Sequence, residues 1–250
     1  MKKSVFYLIF WFLLMGCPLN ATAQEKGRLF IDGVSAYKKG DYQRAVSAFQ
    51  KVVEGGVENG KLFYNLGNSY LKSGDLGNAV FWYEKALTLI PSDPDLMFNH
   101  DYALTLIKDE TREVTAPIVR ILFFWKYQLN RRTVLWTAIL LNALFWIIVS
   151  VMLIRRKRVL RSSTVILAVL ALIFILTGLF NYYEAAYIRN AVILPEKISV
   201  RSGLTDEATE LFVLHAGTRV RVDKENNTHF RIQYTKDKIG WIKKEQAGLI

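Results

Sequence analysis

Chemistry in this chain of 250 residues would have to rest on three histidines (His100, His215 and His229), one cysteine (Cys17) and closely set carboxylates. None of the histidines has metal-ligand spacing or an adjoining serine or cysteine nucleophile. The glycines of Glu54-Gly55-Gly56-Val57-Glu58-Asn59-Gly60 are not followed by Lys-Ser or Lys-Thr, so they make a loop and no phosphate cradle. Asp93 and Asp95 stand where a helix begins, and capping accounts for them. Cys17 is alone, so no disulfide framework is expected. These residues predict a non-enzyme with no cofactor and no metal, and point to binding instead.

The elements that would position a binding surface are organised around two uncharged apolar runs, Thr133 to Ile154 and Ser162 to Tyr183. As a helix rising about 1.5 Å per residue, each is about 33 Å long, enough for a hydrocarbon core of roughly 30 Å. Residues 133–154 and 162–183 are therefore expected to form a transmembrane hairpin. Its turn, 155–161, carries Arg155, Arg156, Lys157, Arg158 and Arg161. Short basic loops stay cytoplasmic, which places everything on either side of the hairpin outside the cytoplasm. No Asp, Glu, Lys or Arg lies inside either run, which argues against a transporter. Asn142, Thr177 and Gly178 are the candidates for helix pairing within it.

The formal net charge of +11 gathers beside these segments, while residues 24–110 are net acidic. That distribution fits topology and anionic lipid rather than nucleic acid. At the start of the chain, Met1-Lys2-Lys3, an apolar run from Val5 to Met15 and Ala21-Thr22-Ala23 read as a signal peptide over 1–23. Leu14-Met15-Gly16-Cys17 also resembles a lipobox, so cleavage after Ala23, lipidation at Cys17 and a retained anchor are the alternatives.

From Gly27 to about Lys108 the sequence repeats with a period of 34: Gly33, Gly40, Asp41, Ala45 and Phe49 recur as Gly67, Gly74, Asp75, Ala79 and Tyr83. Small residues at 67 and 79 let two antiparallel helices approach, and bulky Phe63, Tyr70 and Tyr83 fill the space around them. With Leu66, Ala86 and Pro91, the second copy closely resembles the tetratricopeptide repeat. Residues 24–110 are thus expected to hold two helix-turn-helix repeats and a capping helix from Asp95 to Asp109. The resemblance implies a partner-binding groove at Lys61, Tyr64, Asn65, Asn68 and Lys72, with Lys38 and Asn99 nearby. An ordinary solvated helix face is the alternative reading of those positions.

Residues 111–132 interleave Ile118, Ile121, Leu122, Phe124, Trp125 and Leu129 with Arg120, Lys126, Arg131 and Arg132, as an amphipathic surface helix or a plain linker would. Tyr182, Tyr183 and Tyr187 suggest an aromatic belt where the second run ends. Over 190–250 the period becomes alternating, in strands near 197–203, 210–214, 218–222, 230–234 and 240–243, with turns at Ala216-Gly217, Glu225-Asn226-Asn227 and Lys236-Asp237-Lys238. Val200-Arg201-Ser202-Gly203, Gly217 with the valines after it, and Gly240-Trp241-Ile242 resemble the bacterial SH3 domain, a small all-β barrel. Ser199 and His229-Phe230 depart from that pattern. The resemblance implies contacts with cell-wall peptides or proteins through a platform of Phe230, Tyr234 and Trp241, unless these serve as core.

Signal peptide, tetratricopeptide repeats, two-span hairpin and SH3-like barrel, in this order, resemble the E component of the bacterial Bat (Bacteroides aerotolerance) system. That resemblance implies a multidomain, multi-pass inner-membrane protein with both soluble modules in the periplasm. Its partners would be von Willebrand A-domain membrane proteins and a MoxR-type ATPase, in envelope maintenance or oxidative-stress tolerance. The expected role is a non-catalytic adaptor for membrane and periplasmic proteins; a peptidoglycan-binding sensor is the alternative.

Overall fold

The computed structural model describes residues 18–110, 123–155 and 161–250. The basic start, the apolar run of residues 5–15, Cys17, and Arg156, Lys157 and Arg158 of the basic turn lie outside them.

Five helices make the first unit: α1 (Pro18–Lys38), α2 (Tyr42–Glu54), α3 (Gly60–Lys72), α4 (Leu76–Leu89) and α5 (Pro94–Thr105). Each of the last four opens on a side-chain cap, from Asp41, Asn59, Asp75 and Asp93, which satisfies backbone N–H groups left over at a helix start. Gly40 and Gly74 take positive φ (80° and 87°) in the turns between paired helices, one period apart. Gly67 brings α3 so close to α4 that a Cβ there would lie 2.6 Å from the Tyr83 ring, and Gly33 stands likewise against Phe49. The 34-residue pattern thus encodes a small-against-large contact, once per repeat. The terminal helix is shorter than expected, ending at Thr105. Helix α1 runs unbroken through Ala21–Ala23, the triplet expected as a cleavage site.

Helix α6 (Phe124–Gln128) is the described part of the connector, and it precedes α7 (Arg131–Arg155) and α8 (Arg161–Tyr187). Residues 131–154 and 163–187 are long and apolar enough to cross a membrane, and they present apolar side chains outward along their length. The two helices pack against each other, and Val134, Ala138, Ala171 and Asn181 on them are buried. Asn181, which sequence reading passed over, is the buried polar residue of these two helices among the described residues. Thr177 instead bonds its own helix at the Ile173 carbonyl and accepts a hydrogen bond from the Trp125 indole (3.2 Å). Lys126 pairs with Glu184 at 3.0 Å and lies 4.3 Å from the Phe180 ring centre, so α6 is held along the outer part of α8. Tyr182, Tyr183 and Tyr187 are exposed at that same end.

Strand β1 (Arg189–Ile193) follows α8 directly. Then come β2 (Lys197–Arg201), β3 (Glu210–His215), β4 (Arg219–Glu225), β5 (His229–Gln233), β6 (Ile239–Lys243) and β7 (Ala247–Leu249). They form one antiparallel sheet in the order β3-β2-β6-β5-β4-β1-β7. The expected small barrel of five strands is corrected on two counts: the sheet has seven strands, and β3 and β7 are its two open edges. Alternation along the strands still builds one core, from Ala191, Ile193, Ile198, Val200, Leu214, Val220, Val222, Phe230, Ile232 and Ile242.

Candidate partner-binding groove and the joint behind it

Helices α1, α3 and α5 carry the residues predicted to bind a partner. Asn68 and Asn99 meet: the Asn99 amide donates to Asn68 Oδ1 (2.9 Å) and to the Tyr64 hydroxyl (2.8 Å), and the Tyr83 hydroxyl also donates to Asn68 Oδ1 (2.7 Å). Tyr83 is fully buried, and burial pushes its phenol far above the usual range, so it acts as a fixed donor. The amides therefore brace one another first; the Asn68 amide group and the Asn99 carbonyl oxygen keep capacity for a ligand. Lys61 pairs with Asp93, which also caps α5 through Leu96, and the pair holds the lysine pKa up and the carboxyl pKa down. Lys38 and Lys72 are exposed with no ion-pair partner among the described residues, and Asn65 is half-buried.

The 34-residue offset also names positions that sequence reading missed. One period beyond Tyr64 and Asn68 stand Phe98 and Tyr102, one turn apart on α5 and 73% and 52% exposed. The signal was in the period, but Met97, His100 and Asp101 occupy the signature places held by Phe63, Leu66 and Gly67, which hides the third copy.

The sheet docks on α4, the helix behind the groove helices, and on the segment just past α5. Glu84 on α4 is buried, bonded to His100 Nε2 of α5 at 2.9 Å and to Arg219 Nε of β4 at 3.3 Å. Burial alone would raise the Glu84 pKa, but the His100 hydrogen bond and the Arg219 charge bring it below the usual carboxylate range. Asp109, just past α5, accepts from the His215 backbone N–H (2.7 Å) and the Thr218 hydroxyl (2.6 Å), and lies 2.9 Å from His215 Nδ1. These bonds hold its pKa down against partial burial. Two of the three histidines thus lie at one joint, which their distance in sequence conceals. The Thr218 hydroxyl is spent on the same carboxylate, so Asp109 ties His215 and Thr218 of the sheet to the end of the repeats.

Apolar contacts complete the joint. Val192 of β1 belongs to the core of the repeats, while its neighbours Ala191 and Ile193 belong to the core of the sheet. Gly248 lies under the Phe81 ring, and the backbone of Gly77 comes so near Leu194 that a Cβ would fall 2.0 Å from its carbonyl oxygen.

The three residues expected as an aromatic platform lie in different surroundings. Phe230 is core, alternating inward with Ile232. Tyr234 donates to the Glu110 carbonyl beside the joint, and Lys238 stands over its ring. Trp241 lies half-exposed on the outer face, in register between Arg201 and Arg231 on the flanking strands. Of the basic turn, Arg155 ends α7 and Arg161 begins α8.

Among known proteins, residues 33–94 match the tetratricopeptide repeat family. The chain is similar to the photosystem I assembly protein Ycf3 of Synechococcus sp. (strain WH7803), 32% identical over 85 residues that cover 33% of this chain and 49% of the relative. The protein of that name from Synechococcus sp. (strain CC9311) matches equally. That of Rippkaea orientalis is 26% identical over 118 residues, 44% of this chain and 68% of the relative. The chain spans about half the length of the first two. What the likeness covers is the repeat unit, a protein-binding fold.

Proposed function

We propose that this protein is a membrane adaptor, in which the apolar hairpin anchors a repeat unit and an SH3-like sheet on the outer side of a bacterial inner membrane. The repeats offer their groove to membrane and periplasmic partner proteins. The observation that carries this reading is the joint: the sheet continues directly from α8, pairs with Glu84 of α4 and is bonded to Asp109 just past α5, which leaves the groove side of the repeats open. A pair of modules fixed to a hairpin suits a scaffold that holds partners at a set height above the bilayer. The name of the cyanobacterial relatives, an assembly protein, agrees with such a role. The order of modules agrees with a Bat-type complex, its partners then being von Willebrand A-domain membrane proteins with a MoxR-type ATPase.

A photo-reactive amino acid at Lys72, in the groove, tests the reading in intact cells against the same group at Lys51, exposed on α2. Capture of a defined membrane or periplasmic protein from position 72 and not from 51 is expected; no adduct that depends on the groove position contradicts an adaptor. Reporters fused after Lys108 and after Ile250 should both be active only outside the cytoplasm, and one inserted after Arg158 only inside.

A further inference from the structure

Phe98 and Tyr102 are large apolar side chains in solvent on a helix whose other face is well packed, with Leu96, His100 and Ala103 buried. The 34-residue period explains where they point. In the first copy the equivalent places are Phe30 and Val34, and in the second Tyr64 and Asn68. Three of these four, Phe30, Val34 and Tyr64, are half-buried against the core of the repeats, and Asn68 is bound into the amide network. Only the third pair stands clear. It adjoins Asn99, whose amide is already committed to Asn68 and Tyr64, so the polar groups beside the ledge are held in place before any ligand arrives.

Charge divides the same surface. On α3 and α1, Lys72 and Lys38 are exposed and unpaired among the described residues; on α5, Asp95 and Asp101 are exposed to either side of the aromatic pair. A ligand carrying a carboxylate is favoured toward the lysines and disfavoured over α5, which fixes its direction in the groove. A rigid aromatic pair supplies much contact area at low entropic cost, as anchors of interfaces do.

We infer that the groove takes a segment of a partner protein anchored by one large apolar side chain on the Phe98–Tyr102 ledge, with an acidic residue directed at Lys72. This rests on the adaptor reading of the groove and narrows it: the anchor is apolar, and the charge gives direction. A segment held by its acidic end alone would engage Lys61, which is already paired with Asp93 within the protein.

The test uses the full chain in lipid nanodiscs and a displayed library of random dodecapeptides as the probe. Peptides selected on this chain should share a large apolar residue a few positions from Asp or Glu. They should lose at least tenfold in affinity for F98S/Y102S, and those with the acid should also weaken for K72E. Both ledge residues face solvent, so the double variant should keep its melting temperature, which is measured alongside. Peptides without an apolar anchor, peptides that bind F98S/Y102S undiminished, or no selectable peptide at all would overturn the inference. The adaptor reading fails separately, through loss of groove-dependent cross-linking at Lys72; cross-linking retained in F98S/Y102S sinks the ledge alone.

Discussion

Arg219 and Glu84 are 135 positions apart in the chain, on a β-strand and a helix of different modules, and meet at 3.3 Å with the carboxylate almost wholly buried. His100 bonds the same carboxylate oxygen, Oε1, so one acid ties α4, α5 and β4 together. A buried charge is costly without its partners, and here the partners come from both modules. The sheet and the repeats are therefore mutually dependent at this point.

The first expectation concerns that pair. Arg219→Ala leaves Glu84 buried with His100 alone and should destabilise the docked state by about 1–3 kcal/mol. Arg219 is itself half-exposed, which keeps the effect below that of losing a fully buried ion pair. Limited proteolysis across residues 105–110 should become faster, while the repeats alone keep their helicity. Unchanged protease resistance would show that the contact does not hold the modules together.

Acid should loosen the same joint. The carboxyl pKa values of Glu84 and Asp109 are depressed in the folded protein. Such groups contribute stability that is fully present above their unfolded values, roughly 4.3 and 3.9, and lost as pH falls through the lower folded values. Hydrogen exchange of β1 and β4 followed downward from pH 5 should rise before that of α2 and α3. In Asp109→Asn the carboxylate step is removed, so the dependence should be shallower; an identical profile would exclude Asp109 as a contributor.

Groove amides should differ sharply from each other. Asn68→Ala strips the acceptor from the buried Tyr83 hydroxyl and should cost about 1–3 kcal/mol of stability. Asn65 is half-buried, and its backbone carbonyl rather than its side chain is what Ser69 uses. Asn65→Ala should stay within about 0.5 kcal/mol of the parent in a thermal melt. Equal effects would mean that the Asn68–Tyr83 bond does not form.

Much of this molecule is legible in sequence where a residue's role is settled by near neighbours. The repeats follow from Gly33 against Phe49 and Gly67 against Tyr83, contacts within one helical pair. The two apolar runs follow from composition alone. The strands β2 to β6 follow from alternation, which would also have placed Phe230 in the core beside Ile232 had the register been applied to it. Strand β1 escapes because it is buried on both faces, Val192 toward the repeats and Ala191 and Ile193 toward the sheet, and two-sided burial erases the period of two. β7, at three residues, is too short to show a period. The joint is invisible for a different reason: Glu84 with Arg219 and Asp109 with His215 are pairings over more than a hundred residues, and no local pattern encodes them. The ledge at Phe98 and Tyr102 is hidden by a third copy that keeps the groove positions of the repeat and loses its signature.

The central structural claim, that sheet and repeats are docked into one unit through α4, is tested most directly by the thermal stability of Gly77→Ala. Gly77 lies in the first turn of α4, where replacing glycine by alanine is intrinsically favourable, though by less than the about 1 kcal/mol of a helix interior. In the docked arrangement the new methyl would fall 2.0 Å from the Leu194 carbonyl oxygen, a backbone atom that no side-chain rotation can move aside. The account predicts that Gly77→Ala destabilises the full chain, by about 1–3 kcal/mol as overpacked sites do, and frees the sheet for faster hydrogen exchange. A rise in melting temperature, the result expected of an unencumbered helix, would contradict it.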